Sequence, residues 1–236
     1  MYNTKLAVFD LDDTLYSERD FVDGGFRNVV AHVLGYDKPD LINPWLRKVA
    51  ELSKQGRRDI FQVLLADLNQ KCTPARIDEL VQVYRTSDRA LKCFPDAESV
   101  LFRWKDAGLP VAILTDGPLE AQQTKVRLLN LDRKVDQVLY TDQYGPGFGK
   151  PSVKCFQMLM KTFRVEPEEC VYFADNEMKD FYAPNLLGWK SVKVQRPGGV
   201  YADGRAKEPS YAPQCVVADL EQVLIAPKNS NPWRKK

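Results

Sequence analysis

The chain predicts an α/β fold in which a parallel sheet is covered by helices on both faces and carries a separate helical block inserted after its first strand. Three observations point there. Short apolar, β-branched runs recur along the chain with helical stretches between them. Several of those runs are apolar at consecutive positions, as parallel strands covered on both faces are. One long interval, residues 19–94, contains amphipathic helical patterns and no convincing strand.

The elements follow in order. Leu6 to Phe9 reads as a buried strand that runs into three acidic residues, Asp10, Asp12 and Asp13. In the helical block, Phe26, Val29, Val30 and Val33 share one face of a helix ending near Gly35, and Trp45, Val49 and Leu52 suggest a second. Phe61, Leu64, Leu65 and Leu68 fall at i, i+3, i+4 and i+7, as do Ile77, Leu80, Val81 and Tyr84 behind Thr73-Pro74, a capping residue followed by a helix-starting proline. Val111 to Leu114, Val138 to Tyr140, Val171 to Ala174, Val192 to Val194 and Cys215 to Val217 read as further strands. Arg196 to Pro213, with its glycines and prolines, reads as a loop. The expected division is a core of residues 1–18 and 95–227, a helical domain of 19–94, and a basic, flexible tail of 228–236.

Composition narrows the functional classes. Hydrophobic residues make up 44% of the 236 and charged residues 28%, enough to bury a substantial core. A net charge of +2 gives no reason to expect a nucleic-acid or membrane partner. Five scattered cysteines without C-x-x-C spacing indicate neither a disulfide framework nor a zinc site. The first strand starts within a few residues of Met1, and no apolar run approaches the roughly 18 residues that span a membrane, so the expectation is a cytoplasmic protein.

The chemistry lies at the strand ends. If the first strand persists through Asp10 and Asp12, alternation points both carboxylates to one side and Asp13 away. Adjacent carboxylates repel, so one holds a proton or a cation sits between them. Mg2+ suits such hard oxygen donors and keeps water or phosphate in its other positions. The stretch 170–180 ends another strand in Asp175, with Asp180 about one helical turn beyond. Thr115-Asp116-Gly117 offers a hydroxyl and backbone N–H groups at a helix start, a cradle for phosphate oxygens. Lys150 precedes Pro151, and a proline at a first helical position would hold the lysine against a helix N-terminus. The glycines of 145–151 do not make a nucleotide-binding P-loop, because proline follows the lysine where a hydroxyl is needed. Each acidic segment taken alone is equally a turn or helix cap.

Together these segments resemble the haloacid dehalogenase-like superfamily, and more narrowly its phosphatases with a helical cap inserted after the first strand. The resemblance runs from Leu6 to about Leu224 and implies a Rossmann-like core of three layers. The family's D-x-D-x-T motif is matched by Asp10, Asp12 and Thr14, its strand-end hydroxyl by Thr115, its lysine by Lys150 and its acidic pair by Asp175 and Asp180. What the resemblance implies is a phosphatase acting on a small-molecule phosphate monoester: a sugar phosphate, a nucleotide or a phosphorylated cofactor. Asp10 would attack phosphorus to form an aspartyl-phosphate, and Asp12 would act as acid and then base. Mg2+ would be held by Asp10, Asp175, the Asp12 backbone carbonyl, and Asp180 directly, through water or from behind. Thr115, Asp116, Gly117 and Lys150 would bind the transferring phosphoryl group. Asp116 departs from the asparagine often found there, so its carboxylate is expected to turn aside. Ala174 stands where a glycine is common.

Asp12 favours phosphate esters over dehalogenation, since no acid is needed for a halide. A phosphomutase would share every motif, and a relative that only binds a phosphorylated ligand remains the alternative outside catalysis. Tyr16, Ser17, Glu18 and Arg19 lie where the chain leaves the core and could face the cleft. Arg57 and Arg58 could meet a second anionic group, or be solvated. Tyr172, Phe173 and Trp189 read as packing residues, and His32 as a packing or surface residue.

Overall fold

A computed structural model describes residues 4–35 and 39–224; the tail, 228–236, and the expected last residues of the core, 225–227, lie outside the described residues. All six strands expected from the sequence are present: β1 (Leu6–Phe9), β2 (Val111–Thr115), β3 (Gln137–Tyr140), β4 (Cys170–Ala174), β5 (Lys190–Val194) and β6 (Cys215–Val217). They form one parallel sheet in the order β3-β2-β1-β4-β5-β6. Every residue of β1, β2 and β4 is buried, which is why these strands are apolar without alternation. Successive strands run outward from β1 in one direction and from β4 in the other. The crevice beyond the carboxyl ends of β1 and β4 is therefore the switch point at which such sheets bind ligands.

The sheet and its helices build one layered core. Leu6, Val8, Phe156, Leu159, Tyr172 and Trp189 cluster on one side, with Phe156 edge-on to Trp189 at a ring separation of 5.3 Å. Phe9 stacks on Phe173 at 4.7 Å, joining the centres of β1 and β4. The core expectation for Tyr172, Phe173 and Trp189 holds, each being at most 1% exposed.

The described residues divide into two compact units, the sheet unit (through Glu18 and from Lys92 onward) and a helical unit, Arg19–Leu91. The sequence boundary at 94/95 falls three residues late. Cys93 bridges Tyr16 and Phe94 donates its N–H to Leu15 O at 2.9 Å, so both residues belong with the sheet. The helical unit contains α1 (Glu18–Leu34, its first residue counted with the sheet), α2 (Pro39–Lys54), α3 (Ile60–Asp67) and α4 (Pro74–Thr86). Thr73 caps α4 by accepting from Arg76 N at 3.2 Å, as its position before Pro74 predicts. Val29, Val30, Val33, Ile42, Leu64, Leu65 and Leu80 form this unit's own core. Gly25 is required there, because a Cβ would lie 2.7 Å from the Tyr84 ring.

The remaining helices belong to the sheet unit: α5 (Pro95–Asp106), α6 (Leu119–Leu128), α7 (Lys154–Phe163), α8 (Tyr182–Leu187) and α9 (Glu221–Leu224). One expectation is corrected here. Pro151 does not start a helix; Lys150-Pro151 is a cis peptide in a turn closed by Ser152 N to Gly149 O at 3.0 Å, and α7 begins only at Lys154. Lys150 is therefore placed by a loop and not by a helix N-terminus. No helix among the described residues is long and apolar enough to cross a membrane.

Candidate active site

A cavity of about 200 Å3 opens beyond β1 and β4, and Asp10, Asp12, Asp116 and Asp175 all line it. Asp10 follows β1 directly and donates its backbone N–H to Phe173 O at 2.8 Å, so the two central strands fix the separation of the acidic ends. Strand alternation is not what brings Asp10 and Asp12 together, since β1 ends at Phe9. The chain turns instead, with Leu15 N bonded to Leu11 O at 3.0 Å and Asp13 in the left-handed region at φ 50°. Asp13 does point elsewhere: its carboxylate accepts from Glu18 N and Val200 N, both at 2.9 Å.

Lys150 is the buried cation of the site. Its ammonium lies 2.5 Å from Asp10 Oδ1 and 2.7 Å from Asp180 Oδ1, and donates to the Tyr172 hydroxyl at 3.0 Å. Burial alone would lower its pKa, but Asp10 and Asp180 outweigh burial and hold the proton well above the ordinary lysine range. Tyr172 thus combines a core ring with a functional hydroxyl. Asp180 is 1% exposed and is not part of the cavity wall; its other oxygen accepts from Asn176 N at 3.0 Å, in a turn and not a helix. It holds Lys150 in place.

Thr115 ends β2, is 1% exposed, and its hydroxyl has no hydrogen-bond partner. It is a buried donor and acceptor available to a ligand oxygen. The Asp116 carboxylate turns toward Thr141 Oγ1 at 2.8 Å, Lys179 Nζ at 3.0 Å and Lys150 N at 3.3 Å. Burial pushes its pKa up, yet Lys150 and Lys179 pull harder and keep it below the usual carboxylate range. Gly117 has φ 129°, and a Cβ there would lie 2.5 Å from Gln122 Nε2, so only glycine fits.

Asp12 is held by residues that the motif reading missed. Its oxygens accept from Tyr16 OH at 2.6 Å, from Gln122 Nε2 at 3.0 Å and from Lys125 Nζ at 2.7 and 2.9 Å. The signal was available on α6: Gln122 and Lys125 are in helical phase with Ala121 and Leu129, so two polar side chains occupy the inward face. Glu18 also lines the cavity, 4.0 Å from Lys125, whereas Arg19 pairs with Asp23 in solvent. Burial first, then Asp12, raises the Glu18 pKa to about 7. In the helical unit, Arg57 pairs with Asp59, Arg58 is exposed, and His32 meets Glu79 at 2.6 Å.

The donor set suits a hard divalent cation. Asp175 is 7% exposed and lines the cavity. Burial, followed by repulsion from Asp10, Asp180 and Asp13, raises its pKa to about 9. Asp10 is raised to about 7, again by burial first, with Lys150 opposing. No three acidic, cysteine or histidine side chains among the described residues form a ready-made cage. Magnesium does not need one, since it binds through one or two carboxylates and retains water or phosphate in its other positions. The surplus of buried negative charge is what such an ion would neutralise.

Comparisons with known proteins bear on the family and the fold. The haloacid dehalogenase-like hydrolase family model matches residues 4–184, and a second model of the same type matches 147–223. The glyceraldehyde 3-phosphate phosphatase of Pyrococcus furiosus is 28% identical, with 98% of this chain and 96% of that protein covered. The phosphoserine phosphatase of Thermus thermophilus is also 28% identical, covering 94% of this chain and 98% of the relative. A crystal structure of a HAD family hydrolase from Deinococcus radiodurans, with bound phosphate and sodium, shares the fold at a TM-score of 0.62 and 20% identity, covering 94% of both chains. The chain belongs to the haloacid dehalogenase-like hydrolase family, on its phosphatase side.

Proposed function

We propose that the chain is a Mg2+-dependent phosphatase that hydrolyses a small-molecule phosphate monoester through an aspartyl-phosphate on Asp10. The observation that carries this reading is a single cavity lined by both Asp10 and Asp175, with Asp10 bonded to the buried Lys150 and the unpartnered Thr115 hydroxyl at the next strand end. Relatives named for glyceraldehyde 3-phosphate and phosphoserine support a small organic ester.

An Asp10 oxygen attacks phosphorus, the bond from phosphorus to the ester oxygen breaks, and that oxygen leaves with the electron pair and a proton from Asp12. Donation requires Asp12 to carry a proton and to leave its contact with Lys125. Water then attacks the phosphorus, Asp12 takes the water's proton, and the acyl phosphate bond breaks to return Asp10 as carboxylate and release phosphate. Thr115 and Lys150 would hold the equatorial oxygens, where charge gathers in a loose transition state. Asp10, Asp175 and the Asp12 carbonyl would hold the cation, with Asp180 acting from behind through Lys150; when bound, the ion neutralises charge on the phosphoryl group and its carboxylates. The helical unit, inserted after β1, would serve as the cap.

The test is release of inorganic phosphate from a panel of phosphate esters, with and without Mg2+, by the native chain and by Asp10→Asn. Loss of release on chelation and in Asp10→Asn is expected. Hydrolysis that survives either change overturns the mechanism. Isomerised esters without free phosphate would instead identify a mutase.

A further inference from the structure

Asp13, Glu177 and Lys193 are among the buried charged residues that take no part in these steps. All three direct their polar atoms to one loop, residues 197–206. Lys193, on β5 and fully buried, donates to Glu177 Oε1 and to Gly204 O, each at 2.8 Å. Glu177 Oε2 accepts from Ala206 N at 2.8 Å, and Asp13 Oδ2 accepts from Val200 N at 2.9 Å. Between these anchors stands Tyr201, 40% exposed and part of the cavity wall. A loop tip pinned from both sides by buried charges is a rigid support, as a substrate-positioning side chain requires.

Gln122 supplies a second, independent observation in the same cavity. It is 2% exposed, and its Nε2 donates to Asp12 Oδ2 at 3.0 Å and to Asp116 O at 2.5 Å. Both partners are acceptors, so the nitrogen is assigned by its bonds and Oε1 is left as a buried acceptor without a donor. The Glu18 carboxylate adds another acceptor to the cavity. Two acceptors and an amphipathic ring make up a surface that receives hydroxyl donors and covers C–H groups.

We propose that Gln122, Glu18 and Tyr201 form the subsite for the leaving alcohol, and that this subsite takes an alcohol bearing at least one further hydroxyl group. The hydroxyl donates to Gln122 Oε1, and the Tyr201 ring closes over the adjoining carbons. The inference rests on the phosphatase reading and deepens it.

Two matched pairs test it with the magnesium-loaded full chain: glycerol phosphate against propyl phosphate, and a hexitol phosphate against hexyl phosphate. The native enzyme is expected to favour a hydroxylated member by about tenfold or more in kcat/KM. In Tyr201→Ala that preference should shrink to about threefold or less, with the inhibition constant of inorganic phosphate unchanged. An equal loss for both members together with weaker phosphate inhibition, or no hydroxyl preference in the native enzyme, overturns the subsite. So does turnover of other esters with neither hydroxylated member accepted. Failure of the native enzyme on every ester sinks the phosphatase reading itself, a result distinct from these.

Discussion

The side chains of Lys150 and Lys193 are both inaccessible to solvent, yet their surroundings are opposite. Lys193 faces one carboxylate, Glu177, and its remaining contacts are the neutral carbonyls of Gly204 and Ala202. Glu177 is met by Lys193 and, at 3.7 Å from the solvent side, by the exposed Arg205, so no carboxylate there lacks a cation, and the buried pair fixes a loop. Lys150 faces Asp10 and Asp180 directly, with Asp175 raised to about 9 nearby. Lys179 is engaged by Asp116 and Lys125 by Asp12, so the carboxylates of the site outnumber its lysines. A balanced buried pair stabilises a shape, whereas an unbalanced cluster persists only where a ligand completes it.

The largest test of this contrast is Asp10→Asn. It removes the proposed nucleophile and should lower kcat by at least about a thousandfold. Because it also removes one member of an over-charged cluster, the thermal midpoint should hold or rise, as a melt in chelator will record. Near-native activity in that variant would leave the contrast without chemical meaning. The opposite pattern is expected for Lys193→Met, which strands Glu177 as a buried charge and should cost about 3–5 kcal/mol in urea unfolding. Adding Glu177→Gln should restore most of it. If the double variant is no better than the single one, the pair is not a balanced unit.

A smaller effect is expected on the edge of the charged cluster. Lys125→Met frees Asp12 from its two-point contact and should reduce kcat about ten- to a hundredfold, with KM little changed, comparable to losses of supporting groups around reactive residues. A change confined to KM would make Lys125 a binding residue instead.

Acidity gives the gentlest probe. Unfolded carboxyls titrate near 4, while in the folded protein Asp10 and Glu18 are raised to about 7 and Asp175 to about 9. The folded state therefore binds more protons than the unfolded one between about pH 4 and 9. Stability of the metal-free protein is fully present below that window and is lost as pH rises through it. Melting curves in chelator should fall from pH 5 to 9, and saturating Mg2+ should flatten the fall. A metal-free protein equally stable at both ends would mean that these carboxylates are already compensated.

The fold was largely legible before the structure. All six strands announced themselves as short apolar runs, most plainly β1, β2 and β4, whose residues are all buried, and the helices of residues 18–86 through their 3.6-residue periodicity and the Thr73 cap. Three of the four motifs were legible as polar residues abruptly following apolar strands, at Asp10, Thr115 and Asp175, whereas Lys150 stands in a loop after β3. Less visible were the groups that hold them. Lys125, Gln122 and Lys179 read as ordinary polar residues on a helix and a turn, and only the helical phase of Gln122 and Lys125 hinted at burial. The reading of Pro151 as a helix start failed because proline is equally at home in a turn, and one dipeptide does not distinguish the two. Asp10 and Asp12 reach one cavity by a turn after Phe9, although strand alternation suggested a simpler route.

By itself the sequence determined the parallel sheet, the helical insertion and which carboxylates and hydroxyl follow or end the central strands, because hydrophobic periodicity and chain-local chemistry act over a few residues. Tertiary structure alone decided who meets whom: Lys150 with Asp10 and Asp180 across as many as 140 positions, Lys125 with Asp12 across 113, and the loop of Tyr201 with Asp13 across 187. Those pairings follow from strand order and register, and no local pattern carries information over such distances.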